Sequence, residues 1–208
     1  MDMVAAGVEF KEYKKGELIF KTGDKADRLY IVCSGRMKIF TYQFDGREQV
    51  LYVYAPGDFV GAHNLIKEDE YRYNGEALEK TTISTINKTE FDKILIKNPK
   101  ITLKILEKSF ERIRWAESLI QRLTSSSADA KVSGLLLSFM EGFGKVTPEG
   151  TVLELSMNRE EMGSFAGLSR ETMTRKLNQY KELGYIDFSG PRVIIVKNKE
   201  ALVELLLK

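Results

Sequence analysis

In the stretch GLSRETMTRKLNQYKELGYI, residues 167–186, two arginines and a glutamate are spaced so that a helix would gather them. At ~100° per residue, Arg170, Glu171, Thr174, Arg175 and Asn178 share one face, and Met173, Leu177 and Tyr180 share another. The apolar set anchors such a helix to its own domain. The polar set carries base-edge chemistry. A guanidinium bonds guanine O6 and N7 as a pair, and a carboxylate accepts from cytosine N4. The hydroxyls of Ser169, Thr172 and Thr174 suit phosphate oxygens, and Lys176 and Lys181 add positive charge beside them. A charged face by itself is commonly only a solvated surface, so the flanking elements decide its meaning.

Those elements form a frame. Asn158 has N-cap chemistry, and Glu161 three residues on completes a capping box. Met162, Phe165 and Ala166 supply an apolar side, and Gly163 is small where a second helix could cross closely. Gly167 is free to take a left-handed turn, Ser169 caps the second helix, and Gly184 ends it. The result is helix, tight turn, helix. DFSGPRVIIVKN follows, a strand, a turn and a second strand, which reads as a wing with Arg192 at its tip. Asn158, Ser169, Thr172, Thr174, Lys176 and Arg192 are therefore the expected phosphate contacts, and Arg170, Glu171 and Arg175 the expected base readers.

Upstream, glycines recur at 16, 23, 35, 46, 57 and 61 between short strand-like runs: ELIF, RLYIVC, RMKIFTYQF, EQVLYVYA and TTISTI. Many short strands bounded by turn signals predict a β-barrel or β-sandwich. After Pro99 the punctuation stops. Leu103, Leu106, Phe110, Ile113, Ile120 and Leu123 fall at spacings of three, four or seven, with Glu117 breaking the series. That is a helical stripe of heptad character and the expected seam of a homodimer; a second apolar edge, Ile105, Ala116 and Leu119, also asks for a partner. TSSSADA (124–130) reads as a hinge and helix start. The expected organisation is a sensor domain over 1–98, a dimerisation helix over 99–126 and a DNA-binding domain over 127–208.

LSMNREEMGSFAGLSRETMTRKLNQYKELGYI resembles the signature of the catabolite-activator/fumarate-nitrate-regulator (CRP/FNR) superfamily of bacterial transcription regulators, and the resemblance extends over nearly the whole chain. It implies an α+β fold: a cyclic-nucleotide-binding-like β-roll, a long dimerisation helix and a winged helix-turn-helix. It also implies a homodimer on double-stranded DNA and, for an activator, contact with RNA polymerase. The family's base-reading arginine, glutamate and second arginine fall on Arg170, Glu171 and Arg175. That arrangement is closer to the catabolite-activator branch, whose half-site resembles TGTGA.

The resemblance also frames the effector. In the cyclic-nucleotide branch a Gly-Glu pair holds the ribose and an Arg-Ser pair the phosphate. Here Gly61 is kept, Ala62 stands in place of the glutamate, and Arg72 is followed by Tyr73, which argues against cyclic AMP. The effector is left unidentified, with Gly61, Ala62, His63, Asn64, Tyr71 and Arg72 as the candidate pocket. An iron–sulfur cluster is excluded because Cys33 is the one cysteine. His63, the one histidine, is the sole candidate for an axial haem ligand, although a loop hydrogen bond is the commoner role for such a residue.

Composition sets the outer bounds. The chain of 208 residues carries 32 Lys+Arg against 30 Asp+Glu, so a nucleic-acid face must come from local clustering. MDMVAAGVEFKEYKK has no signal-peptide order, and no apolar run approaches a membrane span, so a soluble cytoplasmic protein is expected. An enzyme on a cupin-like barrel lacks its metal-ligand cluster, and no G-x-S-x-G or phosphate loop appears. The surviving alternative is a ligand-binding or scaffold module without DNA binding.

Overall fold

The runs between the early glycines pair into sheets because β-branched and aromatic residues alternate with turn signals. The computed structural model describes residues 8–67, 69–124 and 127–206 and divides into two compact units, Met1–Trp115 and Ala116–Lys208. The division falls within the long helix rather than at either of its ends.

The first unit holds β1 (Val8–Tyr13), β2 (Leu18–Phe20), β3 (Arg28–Ser34), β4 (Met37–Tyr42), β5 (Glu48–Tyr54), β6 (Phe59–Val60), α1 (Ala62–Lys67), β7 (Asn74–Ala77), β8 (Thr81–Asn87) and α2 (Lys88–Lys97). Two four-stranded antiparallel sheets run in the orders β1-β8-β3-β6 and β2-β7-β4-β5. Phe20, Val32, Met37, Tyr54, Val60, Tyr71 and Ile83 form the core. Beside it, Leu29, Leu65, Ile86 and Phe91 make a second cluster. Lys38 is buried to 4 % exposure in mid-sheet and is compensated by Glu48 at 2.6 Å and Glu76 at 3.4 Å.

Helix α3 (Pro99–Thr124) has two apolar stripes with different fates. Ile105 packs on the second cluster of its own unit, and Leu119 is buried at 7 % exposure. These residues therefore need no partner, which corrects the expectation for that edge; Ala116 is exposed. By contrast Leu103, Leu106, Phe110, Ile113 and Ile120 are 59 %, 50 %, 56 %, 53 % and 61 % exposed. Leu123 departs from this set. It lies against Gly167, where an added Cβ would stand 2.7 Å from its Cδ2. The physical reason is register: after Ile120 the heptad step of four falls on Thr124, so Leu123 turns off the stripe.

The second unit continues with α4 (Ala128–Phe143), β9 (Lys145–Thr147), β10 (Gly150–Glu154), α5 (Arg159–Ala166), α6 (Arg170–Glu182), β11 (Ile186–Phe188), β12 (Val193–Val196) and α7 (Lys199–Leu206). Its sheet runs β11-β12-β10-β9. Ser127 caps α4 by accepting from the Ala130 amide. Ser125 and Ser126 of the expected hinge lie outside the described residues.

Candidate nucleic-acid interface

The helix pair is built as its caps require. Asn158 accepts from the amides of Glu160 and Glu161, both at 2.9 Å, while the Glu161 carboxylate accepts from the Asn158 amide, closing the capping box. Gly167 then turns at φ +65°, in the left-handed region. Gly163 permits the close crossing: a Cβ there would lie 2.7 Å from the Leu168 carbonyl. Gly163→Ala is accordingly expected to destabilise the second unit by about 1–3 kcal/mol, the cost of overpacking against backbone. Thermal unfolding read by circular dichroism checks it; an unchanged melting temperature would count against this crossing.

Helix α6 is pinned from within. Met173, Leu177 and Tyr180 are all at or below 1 % exposure. The Tyr180 hydroxyl donates to Asp129 of α4 at 3.0 Å, and Lys176 Nζ lies 2.7 Å from the same carboxylate. Burial first, and the Asp129 charge next, push the Tyr180 phenol far above its ordinary range, so it remains a donor. Lys176 thus fastens α6 to α4 through Asp129. Lys181 is likewise occupied, at 3.1 Å from Asp187 on the wing. The Thr174 hydroxyl donates back to the Arg170 carbonyl at 2.8 Å.

On the opposite side Arg170, Glu171, Arg175 and Asn178 stand exposed along one surface of α6. Among the described residues, neither Arg170 nor Arg175 has an ion pair. The Glu171 carboxylate is held below its ordinary range, first by a backbone amide at the helix start and then by the Ser169 hydroxyl. It is therefore an ionised acceptor at neutral pH. Ser169 caps the helix through the Thr172 amide at 3.2 Å, and Arg192 is exposed beside the wing turn. Arg159, the first residue of α5, stands beside the wing. Its guanidinium lies 4.8 Å from the Phe188 ring centroid, and burial lowers its pKa.

The candidate effector region of the first unit is arranged differently from expectation. Gly61 takes φ +99° and is closed in by the Arg28 carbonyl and the Tyr71 hydroxyl, which bond each other at 2.9 Å. Ala62 and Asn64 are buried, and Asn64 donates to the Glu70 carbonyl and accepts from Tyr73. Tyr71 is a core residue stacked on Phe20 at 4.2 Å, with Tyr30 and Tyr73 around them. Arg72 points away, its side chain 82 % exposed and paired with Asp69, so it lines no interior. His63 is exposed on α1. The rings of Phe20, Tyr30, Tyr71 and Tyr73 pack on one another in the core beside Gly61. No group of three His, Cys, Asp or Glu side chains suited to a metal occurs among the described residues.

Comparison with known proteins agrees with both halves. The cyclic nucleotide-binding domain family matches residues 10–98, and the Crp-like helix-turn-helix domain family matches residues 130–205. The chain belongs to the CRP/FNR family of DNA-binding transcription regulators. The regulator is 27 % identical to the anaerobic regulatory protein of Haemophilus influenzae, over 94 % of this chain and 75 % of that protein. It is 28 % identical to the regulatory protein HlyX of Actinobacillus pleuropneumoniae, over 93 % of this chain and 80 % of that one. Its fold matches the structure of FixK2 from Bradyrhizobium japonicum with a TM-score of 0.83 at 25 % identity, covering 95 % and 96 % of the two chains. No helix among the described residues is long and apolar enough to cross a membrane.

Proposed function

We propose that the regulator acts as a homodimer on an inverted-repeat operator with TGTGA-like half-sites, under control of a small effector other than cyclic AMP. The observation that carries this reading is the unspent Arg170, Glu171 and Arg175 face on a helix anchored by Met173, Leu177 and Tyr180. A recognition helix enters the major groove with its N-terminal residues at base edges, and two-fold half-sites lie ~34 Å apart, one turn of DNA. The exposed stripe of α3 supports the dimer. The ring-filled space behind Gly61, with Ala62 beside it, supports an effector unlike a cyclic nucleotide. For an activator, RNA polymerase is a further partner.

The test is fluorescence anisotropy with an inverted-repeat TGTGA duplex and a scrambled duplex, titrated with salt. Tighter binding to the repeat and a steep negative slope of log K against log salt are expected, because phosphate contacts by Arg159 and Arg192 release counterions. A flat slope, or equal affinity for the scrambled duplex, would overturn the operator.

A further inference from the structure

Asn178 shares the exposed surface of α6 with Arg170, Glu171 and Arg175, and nothing in the protein engages its amide. These residues and Thr174 line one open depression, with Gln179 and Glu182 beyond them. At ~100° per residue, Asn178 falls within about 20° of Glu171 around the helix axis, two turns further on, and Glu182 falls within about 20° of it on the other side. The midline of this face therefore reads Glu171, Asn178, Glu182. The neighbouring polar groups have partners inside the domain. Lys176 meets Asp129 at 2.7 Å and Gln179 at 3.2 Å, and Lys181 meets Asp187 at 3.1 Å. Asn178 is exposed, and among the described residues its side chain has no hydrogen bond to protein. Its donor and its acceptor both face water and are both available to a ligand.

We infer that Asn178 is a further specificity-determining residue, which reads an adenine in each half-site close to the pair met by Arg175. This deepens the operator reading proposed above and rests on it. A carboxamide presents a donor and an acceptor side by side. Adenine presents the complement in the major groove, an N7 acceptor next to an N6 donor. A phosphate offers acceptors only and would use half of the amide. The spacing fits as well. Asn178 lies ~4.5 Å along the helix from Arg175, and base pairs step by ~3.4 Å, so the two side chains address pairs one or two steps apart. Glu182, the next group on the midline, carries a carboxylate that phosphates repel. It marks the far end of the reading surface, and Asn178 is the last reader before it.

The test is selection of binding sites by the full-length protein from a pool of randomised duplexes, read by sequencing, with anisotropy on the selected site. The native protein is expected to enrich an A·T pair one or two steps from the pair whose preference Arg175→Ala removes. Asn178→Ala is expected to lose that A·T preference alone. It should bind the selected site roughly five- to a hundredfold more weakly per half-site, with an unchanged salt slope. Asn178→Asp can only accept, and it is expected to move the preference at the same pair to C·G. Should Asn178→Asp bind too weakly to select, Asn178→Arg is expected to move it to G·C. A change of preferred base cannot come from altered helix stability. Equal weakening on all sequences with a shallower salt slope would assign Asn178 to a phosphate, and unchanged enrichment would leave it in solvent; either result overturns the inference. An enriched inverted repeat whose preferences ignore Asn178 would sink this contact and leave the operator standing. Enriched single half-sites that still lose their adenine preference in Asn178→Ala would sink the inverted repeat and leave this contact standing. No enrichment by the native protein would overturn both.

Discussion

Arg175→Ala is expected to weaken operator binding by about 1–3 kcal/mol for each half-site and to relax preference at a single base pair. At ~1.4 kcal/mol per decade this is roughly five- to a hundredfold for one half-site, and the two-fold repeat doubles the free energy. The argument is geometric. Arg175 and Arg170 are exposed and, among the described residues, without an ion pair, whereas Lys176, their neighbour, is drawn back to Asp129 at 2.7 Å. An arginine with no protein acceptor, one turn into a recognition helix, has its fork free for guanine. The salt slope separates the roles. Arg175→Ala should leave it unchanged, while Arg159→Gln, if Arg159 meets a phosphate as proposed, should reduce it by ~1 per half-site. Arg175→Ala weakening all sequences equally would place that side chain on the backbone instead.

Much of this frame was legible because it depends on local chemistry. The capping box at Asn158, the left-handed Gly167 and the Ser169 cap are written in short-range residue choices, and each takes its expected geometry. What escaped depends on distant partners. Strand β7 is Asn-Gly-Glu-Ala, none of them strand formers; it is extended because β2 and β4 pair with it on both sides. Gly75 within it lets the Phe20 ring lie against the backbone, where a Cβ would stand 2.6 Å away. Periodicity placed Lys176 beside the DNA face, but its carboxylate partner is 47 residues away in sequence. Tyr71 was placed in the candidate effector pocket, and it is core filling at 1 % exposure in a ring cluster with Tyr73, which is hydrogen-bonded to Asn64.

Phe110→Glu is expected to convert the protein to a monomer and to abolish high-affinity operator binding. Phe110 lies mid-way along the exposed stripe of α3, with Leu103 and Leu106 before it and Ile113 and Ile120 after. In a two-stranded parallel seam it would face its own copy, so the substitution sets two carboxylates against each other in place of two rings. A monomer reaches one half-site only. It loses the effective concentration that linked modules gain, about 10²–10⁴-fold in avidity. Glu117 marks the converse. It falls on the stripe between Ile113 and Ile120, where in the proposed dimer its carboxylate would face its own copy, so Glu117→Leu is expected to tighten association. Sedimentation velocity at several protein concentrations reads both variants, with anisotropy on the full repeat and on a single half-site alongside. Retention of dimer by Phe110→Glu would move the seam off this stripe. Loss of dimer with undiminished affinity for the repeat would mean that the two half-sites are not read together, since the avidity of a linked pair cannot survive its separation.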